Sequence, residues 1–270
     1  MTDYQRTLLT GAAGALGTQL RESGTMLGKI VRLSARKPCE NLAPHEEDVP
    51  ADLSDFDAVS KAVEGCDAII HMGGQGLEAS WNTILNANIV GSYNIYEAAR
   101  QHGVKRIVYA SSVHAIGFYE RTETIDGNAP TRPDSLYGVS KTFVENLGRY
   151  YFDKFGIETV SLRIGSSFPE PTDRRHLITW LSYRDCRQLV EKSLSAERVG
   201  FMVAYGMSDN SRAFWDNRTA ASLGYKPEDS ADDYEEKVFA KTRQGDPNDP
   251  AVRFQGGSFA AAGHFEDEKK

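Results

Sequence analysis

Arg6-Thr-Leu-Leu-Thr-Gly11-Ala-Ala-Gly14-Ala-Leu-Gly17 decides the reading of the fold: a short apolar run, then three glycines spaced three apart. A strand that ends in such a turn and passes into a helix, continued here by residues 19–23, opens a nucleotide-binding β-α-β unit. Glycines there permit the tight turn, close backbone approach to a pyrophosphate, and tight packing of helix on strand, with the positive helix end facing the anion. Gly11, Gly14 and Gly17, with Ala15 and Leu16 between them, are therefore candidate cofactor contacts. Glycine-rich turns are common, and the motif alone leaves an ordinary turn as an equal alternative.

Working outward, residues 29–34 (KIVRLS) read as a second strand, 48–52 as a short third, 68–72 (AIIHM) as the fourth, 106–110 (RIVYA) as the fifth and 158–163 (ETVSLR) as the sixth. Ser54 is the candidate N-cap of a helix through Val63 that ends near Gly65. Residues 90–102 end a long helix, and residues 137–155 form another. Strands apolar throughout, rather than alternating, predict a sheet covered on both faces and hence parallel. Their alternation with helices predicts an α/β chain with a Rossmann-type doubly wound sheet. After residue 164 the rhythm loosens: a polar loop at 167–175 with two prolines, a helix over 182–195, an extended run at 199–205, and a helix over 213–223. A turn-rich tail from Gly245 is dotted with Phe254, Phe259 and Phe265. Without repeats, low-complexity tracts or linkers, one domain over 1–270 is expected, with a small substrate lobe formed mainly by about 166–270 over the sheet's carboxyl edge.

Composition narrows the partners. Hydrophobic residues make up 40% of the 270 and charged residues 26%, as in folded soluble chains. Lys and Arg number 31 against 38 Asp and Glu, a net charge of −7 with no basic block, so nucleic acid is not the expected partner. No apolar run approaches the roughly 18 residues of a membrane span. The first six residues lack the basic-then-apolar layout of a secretory leader, which predicts a cytoplasmic location. Cys39, Cys66 and Cys186 are dispersed and suit a reducing compartment without disulfides. The six histidines show no metal spacing, and His71, inside an apolar strand, reads as a core residue. The acidic end from Glu266 reads as a solvated tail.

Chemistry gathers where strands end. Asp52-Leu53 and Gly73-Gly74 follow the third and fourth strands, the edge at which open α/β sheets bind ligands. Tyr137-Gly-Val-Ser-Lys141 places a phenol and an ammonium on one face at the start of a helix. An ammonium beside a phenol favours the phenolate and predicts a lowered tyrosine pKa, as a general base needs. Chance supplies Y-x-x-x-K pairs, but Ser111 and Ser112 end the fifth strand ahead of this one.

In this order the glycine turn, the helix Asn88-Ile-Val-Gly-Ser-Tyr-Asn-Ile-Tyr-Glu-Ala-Ala, the strand-ending serines and Y-x-x-x-K resemble the extended branch of the short-chain dehydrogenase/reductase superfamily over about residues 6–163. Val113-His114 follow the serine where dehydratases carry acidic residues, and the roughly one hundred remaining residues are fewer than nucleotide-sugar epimerases have. Tyr137-Gly-Val-Ser-Lys141, Tyr151-Phe-Asp-Lys-Phe-Gly156, Arg163-Ile-Gly-Ser166, Pro169-Glu-Pro171, Trp215-Asp-Asn217 and the run DPAVRFQGGSF at 249–259 resemble the uronate dehydrogenases over nearly the whole chain. The resemblance implies an NAD(P)-dependent oxidoreductase that takes a free hexuronic acid (galacturonate or glucuronate) to an aldarolactone at C1, and a homo-oligomer. It implies Tyr137 as acid/base, Ser112 as holder of the substrate hydroxyl, and Lys141 on the nicotinamide ribose. It assigns the dinucleotide further to Ala35, Arg36, Met72, Asn88 and Ile164, and the sugar to Gln75, Gly76, Val113, His114, Ser166 and, through its carboxylate, Arg175. Arg174 is the alternative carboxylate partner, and the tail phenylalanines are read as packing against a neighbouring subunit.

Two departures stand out. Gln75-Gly76 and Val113 replace small polar residues of that family near the sugar. Ala35 occupies the place of the aspartate that takes the adenosine ribose of NAD, with Arg36 and Lys37 after it. This predicts a preference for NADP; solvated Arg36 and Lys37, with Ser34 bonding the ribose of NAD, is the competing reading. A dehydrogenase or epimerase of another small sugar, and a regulator that senses a dinucleotide without turnover, are the other functional classes. The second class usually lacks the tyrosine or lysine present here.

Overall fold

The computed structural model describes residues 4–267, so the first three residues of the leader reading and the last three of the acidic end lie outside the described residues. Seven strands, β1 (Arg6–Thr10), β2 (Ile30–Ser34), β3 (Glu46–Asp48), β4 (Ala68–His71), β5 (Arg106–Ser112), β6 (Glu158–Ile164) and β7 (Phe201–Gly206), form one parallel sheet in the order 3-2-1-4-5-6-7. The helices are α1 (Ala15–Arg21), α2 (Phe56–Val63), α3 (Trp81–Ile84), α4 (Gly91–His102), α5 (Leu136–Phe155), α6 (His176–Thr179), α7 (Tyr183–Ser195), α8 (Arg218–Ser222), α9 (Glu235–Lys241), α10 (Pro250–Arg253) and α11 (Ser258–Ala261). None of those described is long and apolar enough to cross a membrane.

Successive strand residues point to opposite faces, so continuous apolar strands feed two cores. Leu8 and Ile69 pack with Val59 of α2, Ile95 of α4 and Val144 of α5. Leu9 and Ile70 pack on the other face with Leu20 of α1 and Leu189 of α7. Each buried leucine or isoleucine contributes about 1.5–3 kcal/mol. The chain leaves β1 for β2 on one side and reaches β4 on the other, which opens a crevice between Gly11 and Gly73 at the switch point.

Several boundaries move from those the sequence predicts. The third strand is 46–48 rather than 48–52, because Glu46 and Glu47 hold Arg21 and Arg32 along the sheet edge and Pro50 brings no N–H to the ladder. Asp55, not Ser54, caps α2 by accepting the Asp57 and Ala58 N–H groups, while Ser54 donates to Asp52. The helix predicted over 213–223 shrinks to α8. Phe214 and Trp215 instead enter a third core, where Trp215 stacks on Tyr205 with centroids 5.0 Å apart. β7 and α7, within the span read as lobe, complete the sheet and one helical layer, while the tail returns to the sheet's carboxyl edge through a Glu120–Phe254 bridge. His71 is a core residue sharing hydrogen bonds with Thr10 and Ser92, and burial pushes its pKa down to about 3.

One buried ion pair sets the seat of α5. Arg163 of β6 donates from Nε and Nη2 to the two oxygens of Glu145 (3.0 and 2.9 Å), and Ser111 of β5 adds its hydroxyl at 2.6 Å. Glu145→Ala strands the Arg163 charge without a partner and is expected to cost about 3–5 kcal/mol. Thermal unfolding reads this as a fall in Tm on the order of 10 °C. An unchanged Tm would show that the pair holds nothing.

Candidate functional site

The crevice at the switch point is shaped by glycine. Gly11 sits at φ +68, and a Cβ there would lie 2.7 Å from the Gly73 nitrogen. A Cβ on Gly17 would lie 2.1 Å from the Gly11 carbonyl, whereas one on Gly14 would meet that same carbonyl at 3.1 Å and nothing else nearby. First and third glycines are thus demanded by packing, while the second leaves the mouth of the turn open to a ligand. That division fits a pyrophosphate lying against the backbone beside Ala15 and Leu16. Leu53 lies against Gly73 and Gly91, and the Thr10 hydroxyl accepts the Gly73 N–H at 3.1 Å, which fixes the stretch after Met72. Asn88 closes this side. Its carboxamide accepts the Gln75 N–H (2.7 Å) and donates to the Gln75 carbonyl (3.1 Å) and the Ser140 hydroxyl (2.9 Å). It projects from a π-helical turn, Leu85–Val90, inserted between α3 and α4, a kink that helix periodicity alone does not foretell.

At the adenosine end Ala35 is half-buried and gives its carbonyl to Ala51 N–H, while Arg36 and Lys37 are exposed. Asp52 is held below the usual carboxylate range by the Ser54 N–H and hydroxyl, with a smaller pull from the Arg36 charge. The Arg36 charge is thus felt at Asp52.

Tyr137 and Lys141 occupy the first turns of α5, both buried. Ser135 caps this helix by accepting the Gly138 N–H, and the Glu78 carboxylate accepts the Leu136 and Tyr137 N–H groups (3.1 and 2.7 Å). An anion at a helix N-terminus is favoured by the dipole. Lys141 Nζ donates to the Ala110 carbonyl at 2.7 Å and lies 5.3 Å from the Tyr137 ring. Burial pushes Lys141 down to about 7, with Glu145 holding it partly up. Burial likewise pushes Tyr137 up to about 12, against which the Ser112 hydroxyl pulls it down and Asp134 pushes it further up. The lowered phenol predicted from Tyr and Lys spacing is therefore corrected. In the chain alone, desolvation is the largest influence on this phenol and outweighs the Ser112 hydrogen bond that favours its ionised form.

The opposite wall is built from distant segments. His114 donates from Nδ1 to the buried Asp134 at 2.8 Å, lies 5.8 Å edge-on from the Tyr137 ring, and carries Phe259 stacked on it at 3.9 Å. Phe254 packs edge-on against Phe118. Both phenylalanines thus make contacts within the chain while staying half-buried. Val113 turns into the third core with Ile116 and Trp215. Ser166, after Ile164 at the end of β6, shares a hydrogen bond with Thr179 and accepts one from Arg175 Nη1 at 3.2 Å. Arg175 also donates from Nε to the Gln255 carbonyl, while its Nη2 is buried and has no partner. Arg174 is engaged elsewhere: it stacks over Phe239 at 4.2 Å and donates to Thr242 and Gln244.

Gln255 is fully buried and ties the tail down. Its N–H donates to Tyr119, its amide nitrogen to the Glu120 and Glu123 carbonyls, and its amide oxygen accepts Trp215 Nε1. Next to it, a Cβ on Gly256 would strike Asp134 and one on Gly257 would strike Arg175, so QGG is required where the tail crosses the site. Sequence reasoning placed the glycine turn, Asp52-Leu53, Gly73-Gly74 and Ser112 after strands and Tyr137 and Lys141 at a helix start, but it named no site role for Glu78, Asp134, Gln255 or Phe259. The Gln-Gly-Gly run was the one available signal. Among the described residues no cluster of His, Cys, Asp or Glu is placed to hold a metal ion.

Residues 7–188 match the NAD dependent epimerase/dehydratase family. The chain is 51% identical to a uronate dehydrogenase of Pseudomonas syringae pv. tomato over 99% of this chain and 97% of that one. Among solved structures it is similar to glucuronic acid dehydrogenase from Chromohalobacter salexigens (48% identity, TM-score 0.95, covering 98% of this chain and 99% of the other). It is also similar to a uronate dehydrogenase mutant from Agrobacterium tumefaciens complexed with NAD (47%, TM-score 0.92, 96% and 98%). With the glycine crevice and the Ser112–Tyr137–Lys141 constellation in place, the chain belongs to the NAD dependent epimerase/dehydratase family and, within it, to the uronate dehydrogenases.

Proposed function

We propose that the chain oxidises the ring C1 hydroxyl of a free hexuronic acid to the aldarolactone. That it is an NAD-dependent oxidoreductase of uronic acids follows from its family. The observation that carries the finer reading is the buried, unpartnered Nη2 of Arg175, whose Nη1 is held by Ser166 just after β6, the strand paired with the one ending in Ser112; it is a donor suited to a planar carboxylate. The sugar then lies with its acid on Arg175 and Ser166, and its C1 hydroxyl on Ser112 and Tyr137. His114, oriented by Asp134 and covered by Phe259, borders the ring and excludes water. Tyr137, as the phenolate, accepts the O1 proton at Oη and becomes the neutral phenol, while Ser112 holds the substrate oxygen as its charge develops. The glycine turn, Leu53, Gly73, Asn88 and Lys141 would hold the dinucleotide, which would take the hydride from C1 and, when oxidised, bring a positive charge near the phenol. That charge offsets the desolvation that holds Tyr137 high in the chain alone.

Turnover is expected with galacturonate or glucuronate and not with neutral hexoses, followed through absorbance of the reduced dinucleotide. Activity on the neutral sugars alone would overturn the substrate. Tyr137→Phe is expected to lower kcat by about 10²–10⁴ while dinucleotide affinity stays near wild type; a variant within tenfold of wild type would remove the general base.

Arg175→Ala is expected to weaken uronate binding by about 2–5 kcal/mol, seen as a raised KM. Arg174→Ala, whose guanidinium is committed to Phe239, leaves KM nearly unchanged. The reverse pattern would give the carboxylate to Arg174.

Within this NAD-using family, Ala35 and Arg36 support a shift towards NADP. The carboxylate that repels a 2′-phosphate is gone, and an exposed guanidinium can take its place. A charge-assisted contact of about 1.5–3 kcal/mol favours NADP by roughly ten- to a hundredfold. Comparing kcat/KM for both dinucleotides is decisive: Ala35→Asp moves the ratio towards NAD, and a tenfold preference for NAD in the natural chain would defeat the electrostatic argument.

A further inference from the structure

A cleft of about 480 Å3 adjoins Arg175 but includes none of Ser112, His114, Tyr137 or Lys141. Five arginines line it, Arg121, Arg174, Arg175, Arg212 and Arg243, in a chain whose net charge is −7. Fewer carboxylates face them: Asp173 offsets part of the charge on Arg121 and Arg175, and Asp134 part of that on Arg175. Asp173 accepts the His176 N–H and pairs with that ring, and Glu235 pairs with Arg212. Arg174 keeps a buried Nε without a partner. Arg121, spent on the Ala251 and Phe254 carbonyls, is desolvated, and its charge adds to the burial that pushes Arg175 down to about 10. Concentrated like charge with orphaned donors is stabilised by a bound anion.

The walls say which kind. Donors are planar guanidinium forks rather than backbone N–H groups at a helix end, and Leu177, Ile178, Phe239 and Val252 supply apolar surface between them. Arg174 and Arg212 both lie over the Phe239 ring, which holds their planes in place. The volume exceeds what a lone tetrahedral anion fills. We infer that this cleft is a second anion site for a dicarboxylate with a carbon chain of about six atoms, the class formed when the lactone product opens by adding water. Its ligand also raises KM for the uronate, since Arg175 belongs to both walls. The class of ligand rests on the uronate reading; the site itself does not.

Calorimetric titration of the holoenzyme with galactarate, in the presence of reduced dinucleotide, is expected to show two sites per chain. The Arg212→Gln/Arg243→Gln pair alters exposed positions away from the catalytic constellation. It is expected to weaken one site by about tenfold or more, with KM for uronate in the absence of galactarate within about twofold of wild type. Galactarate then raises KM less in the variant than in the natural chain. Arg243→Glu alone, at an exposed residue, gives the same direction if the pair fails to fold. A single site in both proteins would overturn the inference, and inorganic phosphate binding the cleft as tightly as galactarate would overturn the dicarboxylate. Two galactarate sites in a chain that does not oxidise uronates would uphold the cleft and sink the substrate reading instead.

Discussion

The Glu145–Arg163 pair is the constraint from which the site's geometry follows. Two opposite charges taken out of water gain little net stability, because desolvation offsets most of their attraction. What they supply is position. Glu145 lies one turn beyond Lys141 on α5, and by gripping Arg163 of β6 and Ser111 of β5 it fixes how far the helix slides along the sheet. With that register set, Lys141 reaches the Ala110 carbonyl, Ser140 meets Asn88, and the Tyr137 ring arrives beside Ser112. A helix free to shift by one residue would rotate its phenol by about 100° and lose the site.

Much of the fold was legible because its signal is local. Continuous apolar strands, a glycine turn and helix periodicity specify a parallel sheet from short windows of sequence, and of the six strands read from it all but the short third lie within two residues of their reading. The failures share a cause. β3 is held by Glu46 and Glu47 to arginines on other elements, and Phe214 and Trp215 leave a helical pattern to join a core assembled from Val113, Ile125 and Tyr205. Long-range partners decided both, and no local pattern records a partner.

The site divides the same way. Gly11, Ser112, Tyr137 and Lys141 carry residue types that the chemistry itself demands, so spacing and resemblance find them. Glu78 and Asp134 act on functional residues through a cap and a ring nitrogen, roles that any surface carboxylate could have in sequence. The pKa of Tyr137 was misjudged for a related reason: spacing reports that an ammonium is near but not how dry the place is. Burial outranks the neighbour here.

Gln255 has a consequence for any shortened form of the chain. Its amide closes contacts with Glu120 and Glu123 across more than 130 residues of chain, and its carbonyl receives Arg175 across 80. Such closures carry a loop-entropy cost and form after local structure. A chain cut short before residue 255 therefore loses at one stroke the carbonyl that receives Arg175 and the amide that ties Glu120 and Glu123, while every residue of the glycine crevice is still present.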